Sequence, residues 1–398
     1  MPPPPTPPPP QVALFVTEKL PWPLDDGGQI RSWHMLQALA RTGPVRVLAR
    51  APEDPAAAQA LRAQGFELEL FAARTSAVWK VFSLARALFT RRPHPLPKNF
   101  SGPLRAALRR MLTDGGVRHV HFNHLDAAQY LLTLDARQVA TSIDTHNLLT
   151  GLYRRLESES RNPLARAYVH LQWRKMAAME PRILRLAQRV FVCSEQERAQ
   201  LRVWGIDRAR VVPNGVDTEH NQPQPRPPDG RQRLVFCGGM DYLPNQDGVR
   251  WFLDSIWPEL VRTQPGLELL IVGKNPPRDL TARAVGAVSF TGRVEDVRPL
   301  VSSADLSIVP LRIGGGTRLK ILESLALERA VVSTGTGAEG LELEAGKEIA
   351  LADEPQAFAS AVRELLADPA RRERMAQAGR ARVLAQYDWR VATASAFD

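Results

Sequence analysis

Short apolar runs alternate along the chain with longer stretches in which apolar side chains recur every three or four positions. Runs such as QVALFV (11–16), HVHF (119–122) and LSIVPL (306–311) have the length and composition of buried strands. The stretches between them, such as QIRSWHMLQALAR (29–41), have the periodicity of amphipathic helices. This repeated order predicts parallel sheets with helices on both faces, so we expect an α/β fold.

A Pro-rich stretch without apolar runs, residues 213–230, divides the alternation into two halves. We interpret it as a hinge linker, because clusters of Pro and Gly mark connections between domains. Ligands are expected where two doubly wound, Rossmann-like domains face each other across a cleft. The predicted segments are a disordered Pro-rich tail (1–10), an N-terminal domain (11–212), the hinge (213–230), a C-terminal domain (231–380) and a C-terminal helix packing back toward the N-terminal domain (381–398).

Charge and cysteine content narrow the class of protein. Lys and Arg number 52 against 42 Asp and Glu, which gives a formal charge of +10. This excess indicates an anionic partner, although an Arg-rich composition from a GC-rich gene explains it equally well. The sequence carries no zinc-finger or RNA-binding motif, so we expect no nucleic acid partner. No apolar run approaches the ~20 residues of a bilayer span, and two distant cysteines fit a reducing compartment. We therefore expect a cytoplasmic protein, either free or at the inner face of the cell membrane.

A glycine-rich loop follows the predicted strand LSIVPL and leads into an apolar-faced helix, TRLKILESLALE (317–328). Gly314–Gly316 let the backbone approach a ligand, and the helix start favours an anion. Arg318 and Lys320 place cations where the helix dipole disfavours them, a conflict that a bound phosphate relieves. Glu323, one turn later, can accept two hydroxyls of a ribose. The alternative is that Lys320 and Glu323 only pair on a solvated helix face.

A second glycine motif, GTGAEG (335–340), has the spacing of a dinucleotide-binding loop, with Asp353 at the distance of a ribose ligand. That fingerprint requires a helix that begins inside the motif. Only seven residues, LELEAGK, separate Gly340 from the next predicted strand, which is too few for such a helix. We therefore interpret the motif as a loop that lines the same pocket as its neighbour.

Five motifs of the second half occur in one order and spacing: PNGVD, GGMDYLPNQDGVRWF (238–252), TGRVEDVRPL (291–300), IVPLRIGGGTRLKILESLA and VVSTGTGAEGL. This series resembles the retaining glycosyltransferases of the GT-B fold, family 4 or glycosyl transferases group 1. In the first half, the loop LPWPLDDGGQIRSWHMLQALA and the stretch VCSEQERAQL are similar to the same family. The resemblance implies a GT-B fold, a nucleotide-diphosphate sugar as donor, and neither a metal nor a redox cofactor.

The resemblance also implies individual donor contacts. Glu323 matches the family glutamate that binds the donor ribose, whereas the partner glutamate eight positions earlier falls at Gly315 and is absent. The family's Arg and Lys in the motif that matches residues 238–252 are replaced by Met240 and Asn245. Arg318 and Lys320 are then the cations expected to bind the diphosphate, for which a bidentate Arg is well suited. The remaining candidate donor residues are Gly27, Gly28, Gly238, Arg293, Val294, Gly316 and Thr317. Gly27 and Gly28 form either a diphosphate loop or a plain strand-to-helix turn, and Arg293 and Val294 either contact the base or form an ordinary strand exit.

Polar groups at the ends of two N-terminal strands are candidates for chemistry near the anomeric carbon. The stretch HFNHLD supplies His124 with Asp126 close by, and SIDTHN supplies Asp144 and His146. The family often carries a His or Asp at such a strand end. The alternative is that each His is a structural hydrogen-bonding group.

The acceptor is expected to bind the N-terminal domain. Residues 76–93, SAVWKVFSLARALFTRRP, place Val78, Phe82 and Phe89 on one face of a predicted helix that is ringed by cations. Such a helix either lies on an anionic membrane, where a lipid-linked acceptor is found, or packs into the core.

The sequence thus favours a retaining hexosyltransferase that acts on a glycan or lipid-linked acceptor in cell-surface or exopolysaccharide synthesis. One alternative is a nucleotide-sugar epimerase of similar build, which needs no acceptor. A second alternative is a basic membrane or nucleic-acid binding protein with a degenerate nucleotide pocket.

Overall fold

The computed structural model describes residues 11–24, 26–72, 87–94, 96–160, 162–284, 287–313 and 319–398. Its described residues form two compact units. The first contains the chain up to Val212 together with Thr393–Asp398, and the second contains Pro213–Ala392. The residues predicted as a hinge, 213–230, belong to the second unit, and the predicted C-terminal helix segment, 381–398, is divided between the two.

The first unit is a seven-stranded sheet with helices. Its strands are β1 (Val12–Thr17), β2 (Val45–Arg50), β3 (Glu67–Phe71), β4 (Val117–Asn123), β5 (Ala140–Asp144), β6 (Arg189–Val192) and β7 (Ala209–Val211). Its helices are α1 (Gly27–Ala40), α2 (Ala56–Ala63), α3 (Leu96–Asn99), α4 (Gly102–Asp114), α5 (Leu125–Ala128), α6 (Leu149–Glu159), α7 (Pro163–Leu184) and α8 (Glu195–Val203), with a 3-10 turn at Gln129–Leu132.

All strand pairs of this sheet are parallel, and their order is β3-β2-β1-β4-β5-β6-β7. The strand order reverses between β1 and β4, whose register pairs Phe15 with His121 and Thr17 with Asn123. In doubly wound sheets, ligands bind at the carboxyl ends of the strands where the order reverses. The loops that follow β1 and β4 therefore form the candidate binding edge of this unit.

Two buried histidines of β4 join the C-terminal tail to the first unit's core. The Ser142 hydroxyl lies 2.7 Å from His119 Nε2 and 2.8 Å from His121 Nδ1. The ring of Phe397 meets both imidazoles edge to face, at centroid distances of 5.6 and 5.2 Å. The tail thus completes a polar and aromatic layer inside the first unit.

The second unit is a six-stranded parallel sheet with its own core. Its strands are β8 (Arg233–Cys237), β9 (Glu268–Val272), β10 (Val288–Gly292), β11 (Leu306–Val309), β12 (Ala330–Ser333) and β13 (Ala350–Leu351). Its helices are α9 (Leu243–Ser255), α10 (Trp257–Thr263), α11 (Arg278–Thr281), α12 (Arg298–Ser303), α13 (Leu319–Ala326), α14 (Pro355–Ala367), α15 (Pro369–Arg382) and α16 (Trp389–Ala392), with a π-helical turn at Val383–Tyr387.

The strand order of this sheet is β10-β9-β8-β11-β12-β13, and every pair is parallel. This is the order that the first unit uses for its first six strands, so both units have the Rossmann-like topology. Here the order reverses between β8 and β11. The expectation of an α/β protein built from two doubly wound domains is confirmed.

The Pro-rich connector is held onto the second unit by arginine side chains. Arg226 pairs with the buried carboxylate of Asp305, which also lies 3.2 Å from Arg372 and accepts the backbone N–H of Arg233 at 2.9 Å. Arg329 donates to the carbonyl of Gln224 at 2.8 Å. That this connector acts as a hinge stays a prediction.

The buried histidine pair makes the first unit sensitive to acid. Burial lowers the pKa of His121 to about 3 and that of His119 to about 4. Between pH 6.5 and 4 the unfolded chain therefore binds protons that the folded chain excludes, and the free energy of unfolding falls as pH drops. Each such histidine contributes about 1.4 kcal/mol per pH unit in this range. We expect His121→Asn to make the pH dependence of urea unfolding shallower by about that amount.

A matched control is Phe15→Leu, because Phe15 packs 5.1 Å from the His121 ring and does not titrate. This change should lower stability equally at every pH. Equal slopes in His121→Asn and the parent chain would contradict the assignment.

Candidate functional site

Lys320 is held at the switch point of the second unit by a neutral partner. Its Nζ donates to Asn245 Oδ1 at 2.8 Å and lies 4.1 Å from the centroid of the Phe236 ring at the end of β8. Asn245 is buried in the first turn of α9 and donates from Nδ2 to the carbonyl of Gly239 at 2.8 Å. The amide oxygen and the ring face orient the ammonium group, and neither of these two groups carries a charge.

Glycines make this arrangement sterically possible. A Cβ on Gly238 would lie 2.6 Å from Lys320 Nζ and 2.7 Å from Asn245 Nδ2. A Cβ on Gly273, at the end of β9, would lie 1.9 Å from the carbonyl oxygen of Gly238. Real Cβ atoms essentially never make contacts this short. Gly273 is therefore required, because its contact is with backbone, whereas a side chain at Gly238 would have to displace the ends of Lys320 and Asn245.

Glu323 lies one turn after Lys320 on α13 and is half-buried. Burial raises the pKa of its carboxyl group, and the Lys320 charge opposes this shift. Burial and the nearby Glu323 charge together raise the pKa of Cys237 to about 12. Within the described ranges no group donates a hydrogen bond to the Glu323 carboxylate. The structure therefore places a carboxyl group beside the switch point, one turn from the Lys320 ammonium.

The remaining predicted donor residues of the second unit either follow β10 or lie outside the described residues. Gly315, Gly316, Thr317 and Arg318 fall in 314–318, outside the described residues. Arg293 is exposed in the loop after β10, and Val294 packs against the small cluster of Val235, Val272 and Val301. The roles assigned to all six residues stay predictions.

The GTGAEG motif forms a run of turns from Gly335 to Gly340. Its first N–H binds Asp353 Oδ1 at 2.8 Å, and the Gly337 N–H binds the Thr334 hydroxyl oxygen at 2.9 Å. The next described helix begins only at Pro355. The motif thus lacks the helix of a dinucleotide-binding loop, and Asp353 already holds the loop's own backbone.

In the first unit, polar side chains gather after β1, β4 and β5. We call Asn123, His124, Asp126, Asp144 and His146 the histidine cluster. Gly27 and Gly28 begin α1, whose N-cap Asp26 accepts the Gln29 N–H at 2.8 Å. A Cβ on Gly28 would lie 3.6 Å from His146 Nδ1, so the glycine turn borders the cluster.

Asn123 fixes the tautomer of His146. The Thr17 and Ser32 hydroxyls each donate to a backbone carbonyl, so both accept from Asn123 Nδ2, at 3.1 and 2.9 Å. Asn123 Oδ1 then faces His146 Nε2 at 3.0 Å, which makes Nε2 the protonated nitrogen. Burial lowers the pKa of His146 to about 3. The ring is therefore neutral, and no donor in the described part of the chain reaches the lone pair of Nδ1.

The pKa of His124 shifts in the opposite direction. Burial alone would lower its pKa, but the hydrogen bond and charge of Asp126, whose Oδ2 lies 3.6 Å from Nδ1, raise it above the usual value. The rings of His124 and His146 lie edge to face with centroids 5.4 Å apart. Both residues have positive φ, 76° and 56°. The cluster thus places two histidines with opposite pKa shifts side by side.

Both carboxylate oxygens of Asp144 accept hydrogen bonds from Arg31. Arg31 donates to it from Nε at 2.8 Å and from Nη2 at 2.7 Å, and both side chains are at most 1% exposed. His146 Nε2 lies 3.4 Å away. The geometry shows Asp144 as the counter-ion of Arg31, and its part in a reaction stays a prediction.

Two family models match this chain. One, described as Glycosyl transferases group 1, covers residues 231–368, and the other, described as Glycosyltransferase Family 4, covers residues 26–220. The chain belongs to the family 4 glycosyltransferases.

Individual relatives agree with this assignment. The glycosyltransferase is 29% identical over 238 residues to a glycogen synthase of Mycobacterium tuberculosis, with 56% of each chain covered, so it spans about half the length of the curated relatives it matches. A sucrose-phosphate synthase of Thermosynechococcus elongatus aligns over 97% of both chains with a TM-score of 0.70 and 19% identity. HepE of Anabaena, solved with UDP and glucose, aligns over 97% of this chain and 98% of its own, with a TM-score of 0.69 and 15% identity. These structures establish the GT-B fold.

Across the described ranges of this glycosyltransferase we find no helix with the length and hydrophobicity that a membrane span requires.

The close contacts of Gly238 predict a cost for any side chain there. Gly238→Ala should displace Lys320 and Asn245 and lower the free energy of unfolding of the second unit by about 1–3 kcal/mol, as overpacking does. The control is Gly151→Ala in α6, where a Cβ meets nothing within 4 Å. That change should be neutral or stabilise by up to about 1 kcal/mol. Denaturant titration measures both, and equal effects would contradict the packing argument.

Proposed function

We propose that this glycosyltransferase transfers a sugar from a nucleotide-diphosphate sugar to a glycan or lipid-linked acceptor, with retention of configuration, in cell-surface or exopolysaccharide synthesis. The observation that carries the proposal is the Glu323 carboxyl group one turn from the Lys320 ammonium, which Asn245 orients at the switch point. A carboxylate suits the two hydroxyls of a ribose, and an oriented cation suits the diphosphate attached to it. HepE, which shares the fold, was solved with UDP and glucose.

In this proposal the second unit binds the nucleotide part of the donor. Glu323 accepts from the ribose hydroxyls, and Lys320 binds the diphosphate together with Arg318, Thr317 and the N–H groups of Gly315 and Gly316. As the bond between the anomeric carbon and the diphosphate oxygen breaks, negative charge grows on the leaving group. Cations and N–H groups fixed in advance lower the barrier by stabilising that charge. The donor supplies its own leaving group, so we assign no metal or redox cofactor to the reaction.

We assign an acceptor hydroxyl to the histidine cluster. The Nδ1 lone pair of neutral His146 accepts a hydrogen bond from a hydroxyl, because Nε2 already holds the ring's hydrogen. His124, whose pKa is raised by Asp126, donates instead. One cluster thus offers both an acceptor and a donor to a polyhydroxylated substrate.

A donor-binding experiment tests the carboxylate. Thermal shifts with UDP-glucose, GDP-mannose and TDP-glucose identify the stabilising donor, since a ligand of the native state raises its melting temperature. For that donor we expect Glu323→Gln to raise the dissociation constant about 10- to 100-fold, because hydrogen bonds to a charged group contribute about 1.5–3 kcal/mol. Lys320→Met should weaken binding comparably.

The matched control is Glu373→Gln on the exposed face of α15, which should leave the dissociation constant unchanged. Unchanged binding in Glu323→Gln would contradict the ribose assignment. Release of the nucleotide product only in the presence of an acceptor separates transfer from epimerisation, which consumes no acceptor.

We also propose that the first unit contacts an anionic membrane surface where a lipid-linked acceptor is found. Of the predicted helix at 76–93, residues up to 86 lie outside the described residues. In the remainder, Phe89 is 90% exposed, and Leu88 beside it is 44% exposed. Lys175 of α7 fixes this segment by donating to the carbonyls of Ala87 at 2.5 Å and Leu88 at 3.1 Å. An exposed aromatic next to Arg91 suits insertion among acidic headgroups.

Vesicle sedimentation tests this surface. The protein should sediment with phosphatidylglycerol vesicles and not with phosphatidylcholine vesicles, and the double change Phe89→Ser with Arg91→Glu should abolish sedimentation. Val203→Ser is the control, because Val203 is 80% exposed at the end of α8. Equal loss in both variants, or binding to both lipids, would contradict the assignment.

A further inference from the structure

The backbone at His146 has a conformation that needs support from surrounding contacts. His146 has φ of 56°, in the left-handed region that a non-glycine residue seldom adopts. Such conformations cost free energy and persist where surrounding contacts impose them. The contacts that impose this one come from β6 and α8.

Cys193 holds the loop at the histidine itself. Its thiol donates to the His146 carbonyl, with Sγ 2.9 Å from the oxygen. Cys193 is 2% exposed, and burial raises the pKa of its thiol. The thiol therefore stays protonated and remains a donor.

Glu197 holds the loop two residues later. Its Oε1 accepts the Leu148 N–H at 3.0 Å, and its Oε2 accepts the Cys193 N–H at 2.9 Å. One carboxylate thus joins the end of β6 to the far side of the His146 loop. Together with the thiol, it contacts the backbone both at His146 and beyond it.

These contacts differ from ordinary helix capping. Glu197 is the third residue of α8, and its own N–H bonds the N-cap Ser194 hydroxyl at 3.2 Å. In a capping box the third-position carboxylate bonds the N–H of the N-cap residue. Here it bonds the preceding residue and a distant loop instead. The helix start is therefore used to hold a segment 49 residues earlier in the chain.

A neighbouring carboxylate shows the contrast. Glu180 of α7 accepts the N–H groups of Leu149 and Thr150, both at 2.8 Å. These are the first residues of α6, so Glu180 caps that helix. Cys193 and Glu197, in contrast, bond the residues at and just after His146.

We propose that Cys193 and Glu197 are positioning residues that orient the His146 ring, so that Nε2–H meets Asn123 and Nδ1 faces the glycine turn at Gly28. The catalytic part of this inference depends on the proposed function, in which Nδ1 contacts a substrate hydroxyl. The structural part does not, because the orientation of the ring can be observed without turnover.

The structural test is nitrogen NMR of the histidine side chains in the full chain. In the parent protein, His146 should give a neutral Nε2–H signal that persists from pH 8 to pH 5. Cys193→Ala removes the bond to the carbonyl and should shift that signal toward a mixture of tautomers. Cys193→Ser keeps a donor at this position and should restore it. Unaltered His146 signals in Cys193→Ala and Glu197→Gln would overturn the proposal.

The kinetic test uses the donor identified by thermal shift. Cys193→Ala should lower kcat about tenfold or more, since small misplacements of a contacting group reduce turnover strongly. The donor dissociation constant should stay within twofold, because Lys320 and Glu323 are unchanged. A merely structural role predicts a lower melting temperature with parental kcat at permissive temperature, which would also overturn the proposal.

A double variant tests whether Cys193 and Glu197 affect kcat through the His146 ring. In a His146→Ala background, adding Cys193→Ala or Glu197→Gln should lower kcat no further, because both act through the ring that is already missing. Additive losses would overturn the positioning role. Altered His146 signals in a chain without transfer activity would support the positioning and refute the proposed function, so the two failures are distinguishable.

Discussion

The first unit depends on one buried ion pair. The Arg31 guanidinium of α1 binds both oxygens of Asp144 at the end of β5 and donates from Nη1 to the Val212 carbonyl at 2.8 Å, where this unit's main segment ends. Taking two charges out of water is costly, and removing one partner from such a pair typically costs about 3–5 kcal/mol. Because these bonds join a helix, a strand and the exit of the chain, the pair fixes the edge of the sheet that carries the histidine cluster.

Two histidines beside this ion pair have opposite pKa shifts. Burial lowers the pKa of His146 and outweighs the opposing charge of Asp144. Asp126, which has no arginine partner among the described contacts, raises the pKa of His124 through a hydrogen bond and through its charge. The two histidines thus differ in which effect dominates, burial or the neighbouring carboxylate.

Much of this architecture is readable from the sequence, because it depends on local periodicity. Alternating apolar runs predicted both parallel sheets, and the spacing of Lys320 and Glu323 predicted one face of a helix. From the sequence, Asn245 is only a replacement for a cation of the family. Its hydrogen bond to Lys320 is not predictable from a local pattern, because the two residues lie 75 positions apart. Asp144 was predicted as a catalytic candidate, but its partner lies 113 positions earlier and no local pattern connects them. Composition likewise does not reveal that Asp305 binds Arg226 of the Pro-rich connector, because the two residues lie 79 positions apart.

The contact between Gly273 and the Gly238 carbonyl has a consequence for how this protein tolerates mutation. The two backbone segments approach so closely that any side chain at Gly273 would push the ends of β8 and β9 apart. Substitution therefore has almost no freedom to reshape the main chain beneath the Lys320 ammonium. Changes in the surroundings of that ammonium group must come from the side chains of the neighbouring loops.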